Sequence, residues 1–326
     1  MIHRNKYAMR NPTKKILFRI FDLVTVSFTF LILPVLKLIR KHGVQNFPLN
    51  LKAFIAKGVF PVRDHYHEPQ IIYSKRFDAK KIRNLILDFN LDKQLSSLLK
   101  LDCVEELSDL PMDGFPGQKK FYIHNPFFGP GDADLYYLLL RNLKPKQIIE
   151  IGSGFSTLLS VIALQKNKAE GFHTVLTCIE PFERKWLEKI EGIRLIKERV
   201  EDLPVKMFSL LEENDILFID SSHVIRPEND VLFEYLELIP HLKKGVIIHI
   251  HDIFSPRHYR TEWLQEEFRF WNEQYLLEAF LYYNDSFEIL YSVNHLKNSA
   301  FRETRIFLTT LTDKDEPSSL WLRKIK

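Results

Sequence analysis

Two clusters of polar residues stand out because each follows a short apolar run whose neighbours would otherwise be buried. Asp220-Ser221-Ser222-His223 follows the run Asp215 to Ile219, and His249-Ile250-His251-Asp252 closes the run Gly245 to His251. Carboxylates and imidazoles brought side by side in a cleft are costly unless a ligand or metal uses them. Strand ends of this kind are where a ligand or a metal would be held. A third cluster, Glu150-Ile151-Gly152-Ser153-Gly154-Phe155-Ser156-Thr157, carries two glycines that let backbone approach a ligand at the start of a helix. It lacks the GK[ST] ending of a phosphate-cradling loop and the third glycine of GxGxxG, so nucleoside triphosphates and NAD are disfavoured. Further on, Cys178-Ile179-Glu180-Pro181 ends another apolar run, placing the Glu180 carboxylate where it can accept hydrogen bonds from two ribose hydroxyls. Glu201 and Asp202 end the next run and can meet an adenine amino group, although solvated surface charge explains them equally well.

These residues must be positioned by something regular. Runs of β-rich residues recur at Gln147 to Ile151, His173 to Ile179, Ile193 to Val200, Asp215 to Ile219 and Gly245 to His251. Helical patterns lie between most of them, at Ser156 to Gln165, Glu183 to Lys189 and Asp230 to Leu242. Such alternation predicts an α/β fold, a Rossmann-like seven-stranded, mostly parallel sheet with helices on both faces and an N-terminal helical extension. Phe287 to Val293 and Thr304 to Thr310 supply the sixth and seventh strands, after a long helical stretch from Glu262 to Phe280. In open sheets of this kind the ligand lies beyond the carboxyl ends of the strands, where strand order reverses, and the polar clusters fall at those ends.

The chain of 326 residues divides into an apolar and basic segment (1–42), a lead-in subdomain (43–116) and a catalytic domain (117–326). The lead-in mixes a helical pattern at Ile82 to Leu99 with a turn-rich stretch from Gly58 to Pro69, where His65 and His67 could ligate metal, touch substrate or serve structure. With 45% apolar and 27% charged residues the composition is ordinary for a globular protein, and a net charge of +4 without an interleaved basic and aromatic surface argues against nucleic acid. Cys103 and Cys178 offer no disulfide framework and no zinc-ligand spacing, which fits a reducing, cytoplasmic setting.

From Ile16 to Ile39 the residues are almost all apolar, but Arg19 and Asp22 leave an uncharged core only from Leu23 to Leu36. A helical span of the bilayer needs roughly 20 apolar residues. Lys14, Lys15 and Arg19 before the run, and Lys37, Arg40 and Lys41 after it, give no orientation, and no small-residue cleavage site follows. Three readings stand: a helix at the membrane surface, a helix docked on the catalytic domain, and a true span, with peripheral attachment at the inner face of the cell membrane the expectation carried forward.

At Glu150 to Gly154 and Glu180 the sequence resembles the class I S-adenosylmethionine-dependent methyltransferases, matching their glycine-rich first motif and ribose-binding acid over about two thirds of the chain. The run Asp215 to His223 and the later His251-Asp252 are similar to metal-dependent sugar O-methyltransferases of the macrolide-tailoring type. That resemblance implies S-adenosylmethionine held by Glu150, Gly152, Ser153, Gly154, Glu180, Glu201 and Asp202. It also implies a divalent cation on Asp220, His251 and Asp252, and His223 as general base. Histidine in place of the family's first acidic residue suits Mg²⁺ poorly and leaves Mn²⁺, another ion or none. The stretch Asn125 to Ala133 matches a segment that borders the cofactor pocket in such enzymes, making Gly129 and Asp132 cofactor neighbours. On Phe270-Trp271-Asn272-Glu273-Gln274-Tyr275, substrate contact and core packing are both open. The implied activity is O-methylation of a sugar hydroxyl on a glycan or glycolipid. The alternatives are a metal-free small-molecule methyltransferase and a non-catalytic membrane-associated protein.

Overall fold

The computed structural model describes residues 12–57, 59, 77–115, 119–182, 185–267 and 269–326. His65 and His67 lie outside them. The chain divides into two compact units, Met1–Phe77 with Gln265–Phe268, and Asp78–Leu264 with Arg269–Lys326.

In the first unit, α1 runs unbroken from Pro12 to His42 through the internal Pro34, and α2 covers Pro48–Lys57. Along α1 the apolar side chains of Leu17, Phe21, Val24, Phe28, Leu31 and Val35 are exposed. The stretch Ile16–His42 is long and apolar enough to cross a membrane by length and composition. The uncharged core is therefore embedded in a longer helix than its own length suggested, at ~1.5 Å of rise per residue.

The second unit is a seven-stranded sheet in the order β3-β2-β1-β4-β5-β7-β6. Its strands are β1 (Gln147–Ile151), β2 (Val175–Ile179), β3 (Ile193–Ile196), β4 (Ile216–Ile219), β5 (Ile247–Ile250), β6 (Phe287–Ser292) and β7 (Leu320–Lys324). The first five pair in parallel, while β7 runs antiparallel to both β5 and β6. The helices are α3 (Leu91–Leu98), α4 (Asp132–Leu143), α5 (Phe155–Ala169), α6 (Asp230–Phe233), α7 (Glu273–Leu281), α8 (Val293–Ser299) and α9 (Phe301–Arg305).

Side chains on a strand alternate between its faces, and here each face has its own core. Ile148, Ile216, Phe218 and Ile247 pack with Tyr136 and Leu139 of α4 and Leu159 and Ala163 of α5. Ile149, Ile151, Leu217, Ile219, Ile248 and Ile250 pack with Val231, Tyr235, Leu238 and Leu277 on the other side. Burial on both faces explains why the central strands read as continuous apolar runs. Few polar side chains lie within the strands, among them Glu150, Thr177 and His249, and the polar clusters fall at the carboxyl ends.

Several elements differ from the sequence reading, the helix expected at Glu183 to Lys189 shrinking to a short turn at Leu187–Lys189 and the strand expected at Ile193 to Val200 ending at Ile196. Thr304 to Thr310 is not a strand: Thr304 sits in α9, where its Oγ1 and backbone N–H both donate to Ala300 O. The last strand is instead Leu320–Lys324, aligned by Asp132, whose carboxylate accepts from the backbone N–H groups of Ser318 and Ser319. Ile82 to Leu99 is helical only from Leu91, because Asn90 caps α3 through Lys93 N and Arg83 is drawn away to pair with Glu278. The stretch Glu262 to Phe280 breaks into a short π-helical turn at Glu262–Glu266 and α7. At the start of α7 the N–H groups of Asn272 and Glu273 donate to His223 O, so the break turns this segment toward the polar cluster.

Candidate active site

Between β1 and α5 the chain turns through Gly152, whose φ of +76° favours glycine and whose added Cβ would lie 1.9 Å from Asp220 O. The loop after β1 is therefore pressed against the end of β4, and any side chain at 152 drives them apart. Beneath the loop, Glu150 is fully buried and accepts hydrogen bonds from Ser156 Oγ at 2.5 Å and Thr157 Oγ1 at 2.9 Å. Burial pushes its carboxyl up to about 7, against the stabilising bonds from those two hydroxyls. Glu150 thus supports the loop from below, with its carboxylate taken up by protein donors.

A cavity of about 1100 Å³ opens over this loop and runs along the carboxyl edge of the sheet. Gly152, Ser153, Gly154, Glu180, Glu201, Asp202 and Asp220 all line it, together with aromatic walls from Phe127, Phe155 and Trp186. Glu180 accepts from Ser153 N at 3.3 Å and Phe182 N at 3.0 Å, which ties the end of β2 to the glycine loop. Glu201 is ion-paired with Arg199.

Other residues singled out from the sequence stand back from the cavity lining. Asp132, 5% exposed, organises the entry to β7, and its backbone lies next to Gly131 at the start of α4. Gly129 faces the backbone oxygens of Ile123 and Asn125. Glu150 lies under the loop as described.

Beside the cavity, behind its lining residue Asp220, β4 and β5 bring Asp220, His223 and Asp252 together, with one ligating atom from each within 4.8 Å of the others. His223 Nε2 is 3.2 Å from Asp220 Oδ1 and 3.5 Å from Asp252 Oδ2. Its other nitrogen, Nδ1, is 2.8 Å from Glu273 Oε2. Glu273 is fully buried and also accepts from Tyr235 OH at 3.0 Å. Burial alone would lower the His223 pKa, but Asp220, Glu273 and Asp252 together raise it well above its ordinary value. His223 and Asp252 both adopt positive φ, 61° and 58°, conformations that cost energy in non-glycine residues and cluster at functional sites.

His251 belongs to a different environment. Its Nε2 lies 3.7 Å from Asp252 Oδ1, the oxygen that accepts from Ser318 Oγ at 2.9 Å, while its Nδ1 is buried without a hydrogen-bond partner. The ring packs against Phe128 and His249. His249 is buried in mid-strand, stacked on Phe218 with ring centroids 3.9 Å apart, and burial holds its pKa well below the ordinary value.

Glu273, Tyr235 and Glu234 were not singled out for the site. Glu234 accepts from Ser221 Oγ at 3.0 Å, and burial followed by the Glu273 charge raises its pKa well above the carboxylate range. The only sequence signal for Glu273 was the polar and aromatic density from Phe270 to Tyr275. Trp271 from the same run packs on His223, with ring centroids 4.3 Å apart.

Comparison with known proteins gives the same direction. Residues 149–253 match the family model described as a methyltransferase domain. An uncharacterized protein of Archaeoglobus fulgidus is 30% identical over 170 residues, covering 48% of this chain and 76% of that protein. Among solved structures, an O-methyltransferase from Bacillus cereus in complex with SAH aligns at a TM-score of 0.36 and 15% identity, over 74% of this chain and 93% of that one. Cofactor-bound Rv0187 from MTB aligns at a TM-score of 0.38 and 12% identity, over 74% and 92%. The domain match covers the strands that carry the glycine loop, Glu180, Asp220 and Asp252, so this part of the chain is a methyltransferase domain.

Proposed function

We propose that the chain methylates a hydroxyl oxygen, using S-adenosylmethionine as donor and a divalent cation at Asp220 and Asp252, and that the acceptor is a sugar of a glycan or glycolipid. The observation that carries this reading is the continuity of one cavity from the glycine loop and Glu180 to Asp220. Its volume exceeds the ~300–1,000 Å³ usual for small-molecule sites, which leaves room for a cofactor and part of an acceptor. The glycine loop would meet the cofactor through backbone, Glu180 would accept from the ribose hydroxyls, and Asp202 would face the adenine amino group.

Methyl transfer from a sulfonium breaks a C–S bond as the new O–C bond forms, so the protein has to align the acceptor and ease loss of its proton. The donor group is already activated when bound. Asp220 and Asp252 would hold a cation, which would supply positive charge against the developing negative charge on the acceptor oxygen. Asp220, 36% exposed, presents its carboxylate to the cavity, whereas Asp252 is held from behind by Ser318. The sugar acceptor rests on the resemblance of the Asp215 to His223 run and of His251-Asp252 to sugar-modifying enzymes. The exposed apolar length of α1 and its basic flanks support attachment to a membrane surface, where a glycolipid acceptor would be at hand.

Calorimetric titration of the whole chain with S-adenosylmethionine, repeated with Mg²⁺, with Mn²⁺ and with a chelator, tests the cofactor and cation together. Micromolar cofactor binding and cation-dependent methylation of glycan extracts are expected. Methylation that survives exhaustive chelation would favour the metal-free small-molecule reading instead.

A further inference from the structure

Resting on the cation reading above, we propose that His223, held in place by Glu273, is the third ligand of that cation and not the general base that the family resemblance implies, and that His251 is not a ligand. The donor set becomes one imidazole nitrogen and two carboxylates, a mixture that suits Mn²⁺, Fe²⁺, Co²⁺ or Zn²⁺ better than Mg²⁺.

Distances around the ring separate a ligand from an ordinary ion pair. Charge-assisted hydrogen bonds between nitrogen and carboxylate run at ~2.7–2.9 Å. Nδ1 to Glu273, at 2.8 Å, is such a bond. Nε2 to Asp220, at 3.2 Å, is at the long end of the hydrogen-bond range, and to Asp252, at 3.5 Å, is beyond it. Those two separations match the edges of a coordination shell, because ligand atoms ~2.1 Å from a common ion lie about 3.0 Å apart in octahedral and about 3.4 Å apart in tetrahedral arrangement.

Glu273 completes a recurrent arrangement of metal sites. A ligating histidine gives its second ring N–H to a carboxylate, which fixes the tautomer and turns the remaining lone pair toward the ion. Here Glu273 is itself fixed: Tyr235 OH donates to Oε1, and the Glu273 backbone N–H donates to His223 O. With its proton on Nδ1, His223 directs Nε2 between Asp220 and Asp252. Trp271 closes the other face of the ring. Glu273 is therefore a positioning residue.

His251 lacks this support. Its Nε2 approaches Asp252 Oδ1, the oxygen engaged by Ser318, whereas His223 faces Oδ2. No carboxylate or carbonyl among the described residues orients its Nδ1.

The test reads metal binding directly. Free Mn²⁺ is followed by its paramagnetic resonance signal during titration of the full chain, the wild type beside His223→Gln, Glu273→Gln and His251→Gln, each checked for folding by thermal melting. The proposal expects a weakening of 10-fold to 100-fold for Glu273→Gln, at least that for His223→Gln, and less than about 3-fold for His251→Gln. Pulsed resonance on the Mn²⁺-loaded wild type and His251→Gln proteins, read for nitrogen-14 coupling from a bound imidazole, answers even if the His223 variant does not fold. Coupling retained in His251→Gln supports the proposal. Coupling absent from the wild type, or lost in His251→Gln, overturns it. A wild-type chain that binds none of Mn²⁺, Co²⁺ and Zn²⁺ would remove the cation reading itself, a different failure from binding that ignores His223.

Discussion

The two ends of strand β4 carry the same residue type to opposite purposes. At its amino end Asp215, 2% exposed, accepts from Lys146 N, Gln147 N and Glu212 N at 2.8–2.9 Å, so backbone donors take up its charge and it locks β1 beside β4. At its carboxyl end Asp220 lines the cavity and faces His223. The difference lies in what remains for a ligand. A carboxylate saturated by backbone serves the fold, and one set beside another carboxylate and an imidazole at a cavity wall can serve chemistry. Asp132 and Asp134 follow the pattern of Asp215, Asp134 accepting from Thr310 N and Gly131 N.

Substitutions at the two ends should therefore fail in different ways. The largest effect is expected for Asp220→Asn, with Mn²⁺ affinity reduced at least 100-fold, about 3 kcal/mol, while the urea midpoint stays near that of the wild type. A large loss of stability would place Asp220 with the structural acids. Gly152→Ala should reduce S-adenosylmethionine affinity by a similar factor, because the new Cβ meets Asp220 O and the residue keeps an unfavourable φ. Calorimetry that found unchanged affinity would show that the loop can yield there. Asp215→Ala should do the reverse of Asp220→Asn. Stability should fall by about 3 kcal/mol as three backbone donors lose their partner, measured by urea unfolding, with Mn²⁺ affinity of the folded protein retained.

Glu150 sharpens the comparison through pH. Its folded pKa of about 7 lies above its ordinary 4.5, so the fold prefers the protonated form. This contribution to stability is fully present below about pH 4.5 and is lost as pH rises through 7, a change of about 3 kcal/mol for a shift of that size. Urea unfolding of Glu150→Gln across pH 4–8 should show a flatter profile than the wild type; an identical slope would assign the dependence elsewhere.

The smallest effect is expected for His249→Phe. Both ring nitrogens of His249 are buried without partners, and its folded pKa is depressed, so stability is present above the unfolded value near 6.5 and falls as the solution is acidified below it. Phenylalanine should gain about 1 kcal/mol at pH 7 and lose the acid sensitivity, both visible in thermal melts at pH 5 and pH 7.

Much of the fold was legible because β1, β4 and β5 are buried on both faces, which writes them as largely apolar runs with polar clusters at their carboxyl ends. The last strand was harder. Thr304 and Ile306 have strand-like side chains, yet a hydroxyl bonded back to Ala300 keeps Thr304 helical, while Leu320–Lys324 ends in Arg323 and Lys324 and is aligned by Asp132. Within the site, residues that follow a strand directly could be found by reading along the chain: Gly152, Glu180 and Asp220 reach the cavity for that reason, and Asp202 reaches it from a short turn beyond β3. Asp132 and Glu150 stand in equally suggestive contexts, and only the surrounding donors show where their charges are spent.

The sequence by itself determined the parallel sheet, the loop after β1 and the arrival of acids and histidines at one edge, since these follow from apolar periodicity and from what a strand end can carry. Tertiary structure alone decided which histidine meets Asp220 and Asp252. His223 and His251 each lie within three residues of one of those acids, and closeness in sequence cannot rank them. Glu273 does so from 50 residues away, by anchoring one ring and leaving the other packed against Phe128.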